Sequence, residues 1–256
     1  MKAFSLEDNA ALVTGSSKGI GRAIGLGLRE AGAKVIFHGT SKRPSEVPKD
    51  SDYVKADLFQ PNASQKLLRA AVNLQPKLDL LVCNAGSFFD SPFLEMTREL
   101  WDKTLQLNLT ATYFLVQEFA KHLIAQKRGG AVVIVSSTNG FQAEADSTAY
   151  DTSKGALVMM TKSLAVSLAD HGIRVNGLAP GLIRTPLTER WLNTRDDLKT
   201  HYEKKILLGK VGAPEDCAGA AVFLCSQAAS YVTGHILTVD GGLTTGQIGK
   251  LYSSSI

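Results

Sequence analysis

The stretch that decides the fold is residues 9–21, NAALVTGSSKGIG, in which a short apolar run leads into a glycine-rich turn. The run at residues 9–14 predicts a β-strand, and the apolar residues that follow Gly21 recur at helical spacing. A strand, a glycine-rich turn and a helix in this order are typical of a dinucleotide-binding unit.

The glycines of this turn suit a backbone that approaches phosphate groups. Gly15, Gly19 and Gly21 leave room for a pyrophosphate, and the free amides at the helix start supply hydrogen bonds and a partial positive charge. Their spacing differs from the G-x-G-x-x-G form, so the turn alone is weak evidence for a dinucleotide site.

A second motif is a tyrosine and a lysine at helical spacing. Tyr150 and Lys154 lie in AYDTSKGAL, and on a helix both side chains share one face. Ser137 precedes them, at the end of the apolar run AVVIVSS. A neighbouring ammonium favours the phenolate, so we expect Lys154 to lower the pKa of Tyr150 towards the range of an acid/base catalyst. The alternative is an exposed pair on a solvated helix face.

Together these motifs resemble the short-chain dehydrogenase/reductase family, and the resemblance covers nearly the whole chain. The family's T-G-x-x-x-G-x-G appears at residues 14–21, and its N-N-A-G appears at residues 83–86 with Cys83 in place of the first asparagine. The remaining matches, in the family's order, are Asn108, Ser137, Tyr150, Lys154, Pro180, Gly181 and Thr185.

Strand-like runs alternate with helical ones along the chain, which predicts an α/β fold with a parallel sheet. The resemblance implies a Rossmann fold, with a doubly wound seven-stranded parallel sheet in the order 3-2-1-4-5-6-7 and helices on both faces. We expect a single NAD(P)-binding domain over residues 1–256. The TSKRPSEVPKDS segment after the second strand is short and holds two prolines, so no full crossover helix is expected there.

Composition excludes several classes of protein. Lys and Arg exceed Asp and Glu by 28 to 24, but the surplus is scattered, so nucleic acid is not an expected partner. The three cysteines lack metal-ligand spacing and the five histidines are unpaired, so no metal site is expected. With no apolar signal core and no long apolar run, we expect a cytoplasmic protein without a membrane span.

The second strand bears on cofactor choice. Gly39 stands where relatives that prefer NAD usually carry an acidic residue, so no carboxylate repels a 2′-phosphate. Lys18, Thr40 and Ser41 could bind that phosphate. We therefore expect NADP, with NAD as the alternative; the basic side chains could also be ordinary surface charges.

The resemblance implies a cofactor site that extends over several loops. Asp57 corresponds to a residue at the adenine edge, or else it is a plain helix-entry acid, and the amides near Ile183 are expected to hold the carboxamide. The full expected set is Gly15, Ser17, Lys18, Gly19, Ile20, Gly21, Thr40, Ser41, Asp57, Leu58, Asn84, Ala85, Gly86, Tyr150, Lys154, Pro180, Gly181, Ile183 and Thr185.

The family resemblance also implies a mechanism. Tyr150 exchanges the proton with the substrate oxygen, and Ser137 hydrogen-bonds that oxygen. Lys154 lowers the pKa of the tyrosine and binds the nicotinamide ribose. Asn108 either holds a water that links Lys154 to solvent or marks a local distortion of its helix.

The sequence constrains the substrate less closely. Specificity is expected from the segment after Pro186, with contributions from residues 87–93 and 139–147. That segment is rich in cations, which suits a sugar acid or a polyol, as in gluconate dehydrogenases of the family; a solvated amphipathic helix is the alternative. The cations are Arg190, Arg195, Lys199, Lys204 and Lys205.

Two other functions remain open. A 3-oxoacyl-carrier-protein reductase shares every catalytic motif, and Lys127 and Arg128 lie where such reductases bind their carrier. However, His171 replaces a second expected arginine. A regulator that senses NADP without turnover belongs to a different class, but such proteins commonly lose the tyrosine that this chain retains as Tyr150.

Assembly can also be anticipated. Helices expected near residues 105–124 and 149–168 carry apolar side chains on more than one face, which predicts a symmetric partner. The resemblance implies a homotetramer with 222 symmetry, in which residues 232–239 form a second contact. The carboxy-terminal tail either reaches a neighbouring subunit or frays.

Overall fold

A computed structural model describes residues 2–246, so the tail at residues 247–256 and its two alternatives lie outside the described part. The protein contains one seven-stranded sheet in the order 3-2-1-4-5-6-7, as the sequence predicts. All neighbouring strands are parallel. The strands are β1 (Ala10–Val13), β2 (Lys34–Gly39), β3 (Asp52–Lys55), β4 (Leu78–Cys83), β5 (Gly130–Val135), β6 (Ile173–Pro180) and β7 (Ile236–Val239).

Helices cover both faces of the sheet, because the buried strands are apolar on both sides. The helices are α1 (Gly19–Glu30), α2 (Ala63–Leu74), α3 (Arg98–Leu105), α4 (Ala111–Ala125), α5 (Thr148–Leu168), α6 (Glu189–Leu192), α7 (Asp196–Lys205) and α8 (Ala218–Cys225). On one face α2, α4 and α5 pack around Phe119, and on the other α1 and α8 pack around Phe37. The doubly wound Rossmann architecture is therefore confirmed.

The connection between β2 and β3 contains no helix, as expected from its prolines. Arg43 holds this loop together: its guanidinium donates to the carbonyl of Lys49 at 2.9 Å and to that of Ser51, and it lies 5.9 Å from the ring centroid of Tyr53. Tyr53 in turn donates to the carbonyl of Ser41 at 3.1 Å. The loop is thus shaped by its own side chains.

The expectation about surplus apolar surface on α4 and α5 holds for some side chains and not for others. Leu115 and Phe119 of α4, and Leu157 and Val158 of α5, are buried in the core of the chain itself. Leu107, Leu109, Met160 and Leu164 pack partly against that core. Phe114 and Met159, which also contributed to that expectation, are exposed, as are Tyr113, Ile124 and Val166.

The carboxyl ends of the parallel strands share one edge, where the loops that carry the predicted motifs follow β1, β4, β5 and β6. The strand order reverses between β1 and β4, and ligands of open α/β sheets bind at such a point. Among residues 2–246, no helix is long and apolar enough to cross a membrane.

Candidate active site

A cavity of about 300 Å³ opens at this edge of the sheet. Its walls come from the glycine-rich turn, the loops after β4, β5 and β6, and the first turns of α5. The predicted site residues that line it are Gly15, Lys18, Gly19, Ile20, Asn84, Gly86, Ser137, Tyr150, Lys154, Pro180, Gly181, Ile183 and Thr185. Ser136, Phe88, Leu187 and Thr188 also line it. The fold therefore brings the two sequence motifs to one cavity.

The glycine-rich turn is shaped to leave helix amides free. Gly15 and Gly19 have left-handed backbone angles, with φ of 61° and 58°. The first turn of α1 has no acidic residue and its cap at Lys18 makes no side-chain hydrogen bond. Amides at the start of such a helix attract anions, so the turn fits a pyrophosphate.

Asn84 fastens this turn to the end of β4. Its Nδ2 donates to the carbonyls of Thr14 and Gly15 at 3.0 and 3.1 Å. A Cβ on Gly21 would lie only 2.3 Å from that nitrogen, so this glycine allows the amide to reach the turn. Asn84 thus holds the glycine-rich turn against the end of β4.

His38 is a second support of the turn, and the sequence analysis missed it. Its Nδ1 accepts from the amide of Gly15 at 3.0 Å, which places the ring proton on Nε2, 3.2 Å from the carbonyl of Ala56. Burial lowers the pKa of His38 to about 4, so the ring is neutral near pH 7. No local signal marks this role, because its partners Gly15 and Ala56 lie just after β1 and β3, in other parts of the chain.

Asn108 lies in a π-helical turn, Gln106–Thr110, between α3 and α4. Its Nδ2 donates to the carbonyl of Ser87 and to Oγ of Ser153, at 2.9 and 3.0 Å, and its Oδ1 accepts from the amide of Ser87 at 3.0 Å. The helix distortion weighed from the sequence is therefore present. The water-holding role stays a prediction.

Tyr150 and Lys154 do not interact as expected. Nζ of Lys154 donates to the carbonyl of Val135 at 3.1 Å and lies 5.4 Å from the ring centroid of Tyr150. Burial raises the pKa of Tyr150 to about 12, although a hydrogen bond with Ser137 lowers it. Burial also lowers the pKa of Lys154 to about 8. The expected lowering of the tyrosine pKa is thus wrong for this arrangement, because desolvation by burial is the largest influence and Lys154 is not among the groups that shift this pKa.

Three carboxylates surround the tyrosine and add to this effect. Glu144, Asp90 and Asp151 each raise the pKa of Tyr150 through their negative charge. The pKa of Asp90 is itself raised, first by burial. The carboxylates thus act on the phenol through their charge, although none of the three lines the cavity.

The other predicted cofactor residues lie outside the cavity. Ser17 and Gly21 lie in the turn and α1, and Ala85 donates its amide to Oγ1 of Thr14 at 3.0 Å. Thr40 and Ser41 are exposed beyond β2. Asp57 accepts from the amide of Phe59 at 3.0 Å and from the side chain of Gln60 at 3.2 Å, within a turn that precedes the cap of α2 at Asn62, and Leu58 is buried.

Comparisons with known proteins agree with this geometry. A profile of the family described as enoyl-(acyl carrier protein) reductase matches residues 15–244. A 3-oxoacyl-acyl-carrier-protein reductase of Aquifex aeolicus is 38% identical over 249 residues, which cover 94% of this chain and 99% of that protein. The chain belongs to the short-chain dehydrogenase/reductase family. It is an oxidoreductase that acts on CH–OH groups.

Other members of the short-chain dehydrogenase/reductase family resemble this chain to a similar degree. An L-rhamnose 1-dehydrogenase (NAD(P)+) of a Sphingomonas strain is 36% identical over 93% of this chain and 97% of its own length. A solved structure from Agrobacterium tumefaciens, described as a 2-deoxy-D-gluconate 3-dehydrogenase with bound NADP, superposes with a TM-score of 0.89. It is 37% identical and covers 96% of this chain and 100% of its own.

Proposed function

We propose that this enzyme interconverts a secondary alcohol and a ketone with NADP(H). The observation that carries the proposal is the single cavity in which Tyr150, Lys154 and Ser137 face the glycine-rich turn. A dinucleotide fits the turn, and a proton donor and a hydrogen-bonding hydroxyl lie beside it.

The residues of the turn fit the cofactor that the proposal requires. Free amides of α1 would hold the pyrophosphate, and Lys18, Thr40 and Ser41 would bind the 2′-phosphate. A Cβ placed on Gly39 would lie 2.6 Å from Oη of Tyr53, so an acidic residue at position 39 would require Tyr53 to move. The bound cofactor supplies or accepts hydride. NAD remains the alternative, and the bound NADP of the Agrobacterium protein supports the first choice.

Tyr150 is the proton donor in the reduction. With its pKa raised to about 12, the phenol is protonated at neutral pH and can give its proton to the alkoxide that hydride transfer creates. Ser137 orients the substrate oxygen by a hydrogen bond. Lys154 presents an ammonium at the floor of the site and is expected to bind the nicotinamide ribose.

The substrate is a polyol or sugar rather than a sugar acid. A carboxylate substrate next to Tyr150 would be repelled by Glu144, Asp90 and Asp151. Two of the five cations after Pro186 have acidic neighbours of their own, because Arg195 pairs with Asp197 at 3.1 Å and Lys199 approaches Glu203 at 4.0 Å. A sugar acid is the less favoured of the two substrate classes.

A 3-oxoacyl-carrier-protein reductase is the second candidate, supported by the similar Aquifex protein. The expected carrier-binding patch weakens it, because Arg128 donates to the carbonyl of Lys77 at 2.9 Å and lies 3.4 Å from Asp79. A guanidinium held by its own chain is less available to an acidic carrier protein. The non-catalytic regulator is weaker still, since Tyr150 lies in the cavity.

A matched substrate panel tests the proposal. Neutral sugars, their aldonic acids and a 3-oxoacyl thioester are assayed with NADPH, NADP, NADH and NAD. We expect turnover of a neutral polyol or sugar, with NADP(H) favoured, and Glu144→Gln should improve kcat/KM for the acid relative to the neutral partner. Turnover of the thioester alone contradicts the proposal in favour of the second candidate.

We also propose a cytoplasmic location and a single domain for this chain. All three cysteines are buried free thiols, which suits a reducing compartment such as the cytoplasm. A single sheet runs from β1 to β7, so we propose one domain over the whole chain.

A further inference from the structure

The side chain of Tyr53 reaches from β3 to the carboxyl end of β2. Tyr53 is the partner of Phe37 in the sheet, and its ring packs against the core on the face covered by α1. Its hydroxyl donates to the carbonyl of Ser41 at 3.1 Å, two residues beyond the end of β2. Tyr53 therefore holds the backbone at the point where the chain leaves β2.

The same hydroxyl fills the space beside Gly39. A Cβ placed on Gly39 would lie 2.6 Å from Oη of Tyr53 and 3.0 Å from Oγ of Ser17 in the glycine-rich turn. The φ of Gly39 is not positive, so its backbone does not itself require glycine. The side chains of Tyr53 and Ser17, rather than backbone strain, therefore exclude a larger residue from position 39.

This point of the sheet is where a dinucleotide presents its adenosine ribose. In folds of this kind, an acidic residue near the end of the second strand accepts a hydrogen bond from the 2′-hydroxyl of NAD. Here that position is Gly39, and the two residues that follow it, Thr40 and Ser41, are exposed. Tyr53 thus blocks the group that would bind NAD and holds a residue that is proposed to bind the 2′-phosphate of NADP.

The loop between β2 and β3 depends on this tyrosine because it contains no crossover helix. Arg43 closes the loop through two of its backbone carbonyls, and its guanidinium lies over the ring of Tyr53. The exposed hydroxyl of Ser41 donates to the carbonyl of Lys42 at 3.2 Å. It can exchange that partner for a phosphate oxygen where its backbone is held in place. Burial raises the pKa of Tyr53, so its hydroxyl stays protonated and donates at neutral pH.

We propose that Tyr53 is a positioning residue that sets the preference of this enzyme for NADP(H), by holding the backbone at Ser41 and by occupying the space beside Gly39. The inference rests on the proposed function, in which Thr40 and Ser41 bind the 2′-phosphate. Tyr53 acts through these neighbours rather than by contact with the cofactor. NAD(H) lacks that phosphate and gains nothing from Ser41, so a change at Tyr53 must affect the two cofactors differently.

Cofactor kinetics of Tyr53→Phe test the contact with Ser41. The substitution removes only the hydroxyl and keeps the ring in the core. KM for NADPH should rise about five-fold, because the hydrogen bond that holds Ser41 is lost, while KM for NADH and kcat stay within about two-fold. The matched control is Tyr231→Phe, because Tyr231 is fully exposed in the loop before β7. A general loosening of the fold would instead raise KM for both cofactors.

A second pair of variants tests the space beside Gly39. Gly39→Asp introduces an acid that can bind the ribose of NADH, but its Cβ meets Oη of Tyr53. In a Tyr53→Phe background that atom is gone, so kcat/KM for NADH should be at least about five-fold higher in the double variant than in Gly39→Asp alone. The contact with Ser17 is common to both variants, so the difference between them reports Tyr53.

The outcomes separate the role of Tyr53 from the function on which it rests. If Tyr53→Phe changes KM for both cofactors alike, or for neither, in an enzyme that prefers NADPH, the inference is overturned and the proposed function stands. Equal NADH efficiency of Gly39→Asp in both backgrounds likewise overturns it. An unaltered enzyme that prefers NADH contradicts the proposed cofactor and the inference together.

Discussion

At the residue scale, burial decides how the catalytic pair behaves. Tyr150 and Lys154 share a helix face, yet desolvation raises the pKa of one to about 12 and lowers that of the other to about 8. The carboxylates beside Tyr150 add to the first shift. The phenol is therefore ready to donate a proton, and alcohol oxidation has to remove one from it.

This asymmetry predicts opposite pH dependences for the two directions. Ketone reduction uses the protonated phenol, so its kcat/KM should change little between about pH 6 and 9. Alcohol oxidation needs the phenolate, so its rate should rise with pH. Profiles measured in both directions check this, and an oxidation rate that falls from pH 6 to 8 contradicts it.

Gly21 offers a test of the phosphate-binding turn. A methyl group there would meet Nδ2 of Asn84 at 2.3 Å and the carbonyl of Gly15 at 2.5 Å. Gly21→Ala should therefore weaken NADPH binding at least about ten-fold, as measured by nucleotide fluorescence. Gly219→Ala on α8 meets nothing within 4 Å and serves as the control. Equal affinities of both variants would refute the packing argument.

At the element scale, the sequence predicts the strands because apolar runs alternate with helical segments along the chain. The order of the strands follows from the resemblance to a known family, whose motifs stand at the ends of particular strands. The sequence could not predict that His38 supports the glycine-rich turn, because its partners Gly15 and Ala56 belong to other parts of the chain that only the fold brings close. The direction of the pKa shift at Tyr150 was also missed. A sequence shows that Lys154 is near but not how thoroughly both groups are desolvated.

The edge formed by β2 and α1 should determine cofactor preference. Lys18 is exposed at the start of α1 and lines the cavity, whereas Arg43 is occupied within its own loop. Lys18→Ala should raise KM for NADPH about five-fold and leave KM for NADH nearly unchanged. The control is Lys42→Ala, because Lys42 is exposed in the loop between β2 and β3 that also contains Arg43. An equal rise for both cofactors means that Lys18 does not bind the 2′-phosphate.

At the scale of the whole molecule, exposed apolar side chains favour an oligomer. Phe114 is 49% exposed, Met159 60% and Val166 83%, on the adjacent helices α4 and α5. Such surface usually closes against a symmetric partner, so we propose a tetramer in which α4 and α5 of two subunits meet.

Light scattering tests this assembly. We expect four times the 27.4 kDa chain mass at micromolar concentration. Phe114→Glu with Met159→Glu should shift the mass towards smaller species, whereas Lys162→Glu, also on α5, should shift it less. A monomer in the unaltered protein overturns the proposal.

The most direct test of the account is turnover by Tyr150→Phe, measured together with NADPH affinity. The substitution removes one hydroxyl from the cavity wall and leaves the ring, which packs edge-on against Phe88 at 5.9 Å. We predict that kcat falls at least about 100-fold while the dissociation constant of NADPH stays within about two-fold. Near-normal turnover by the Phe variant would contradict the assignment of Tyr150 as the proton donor.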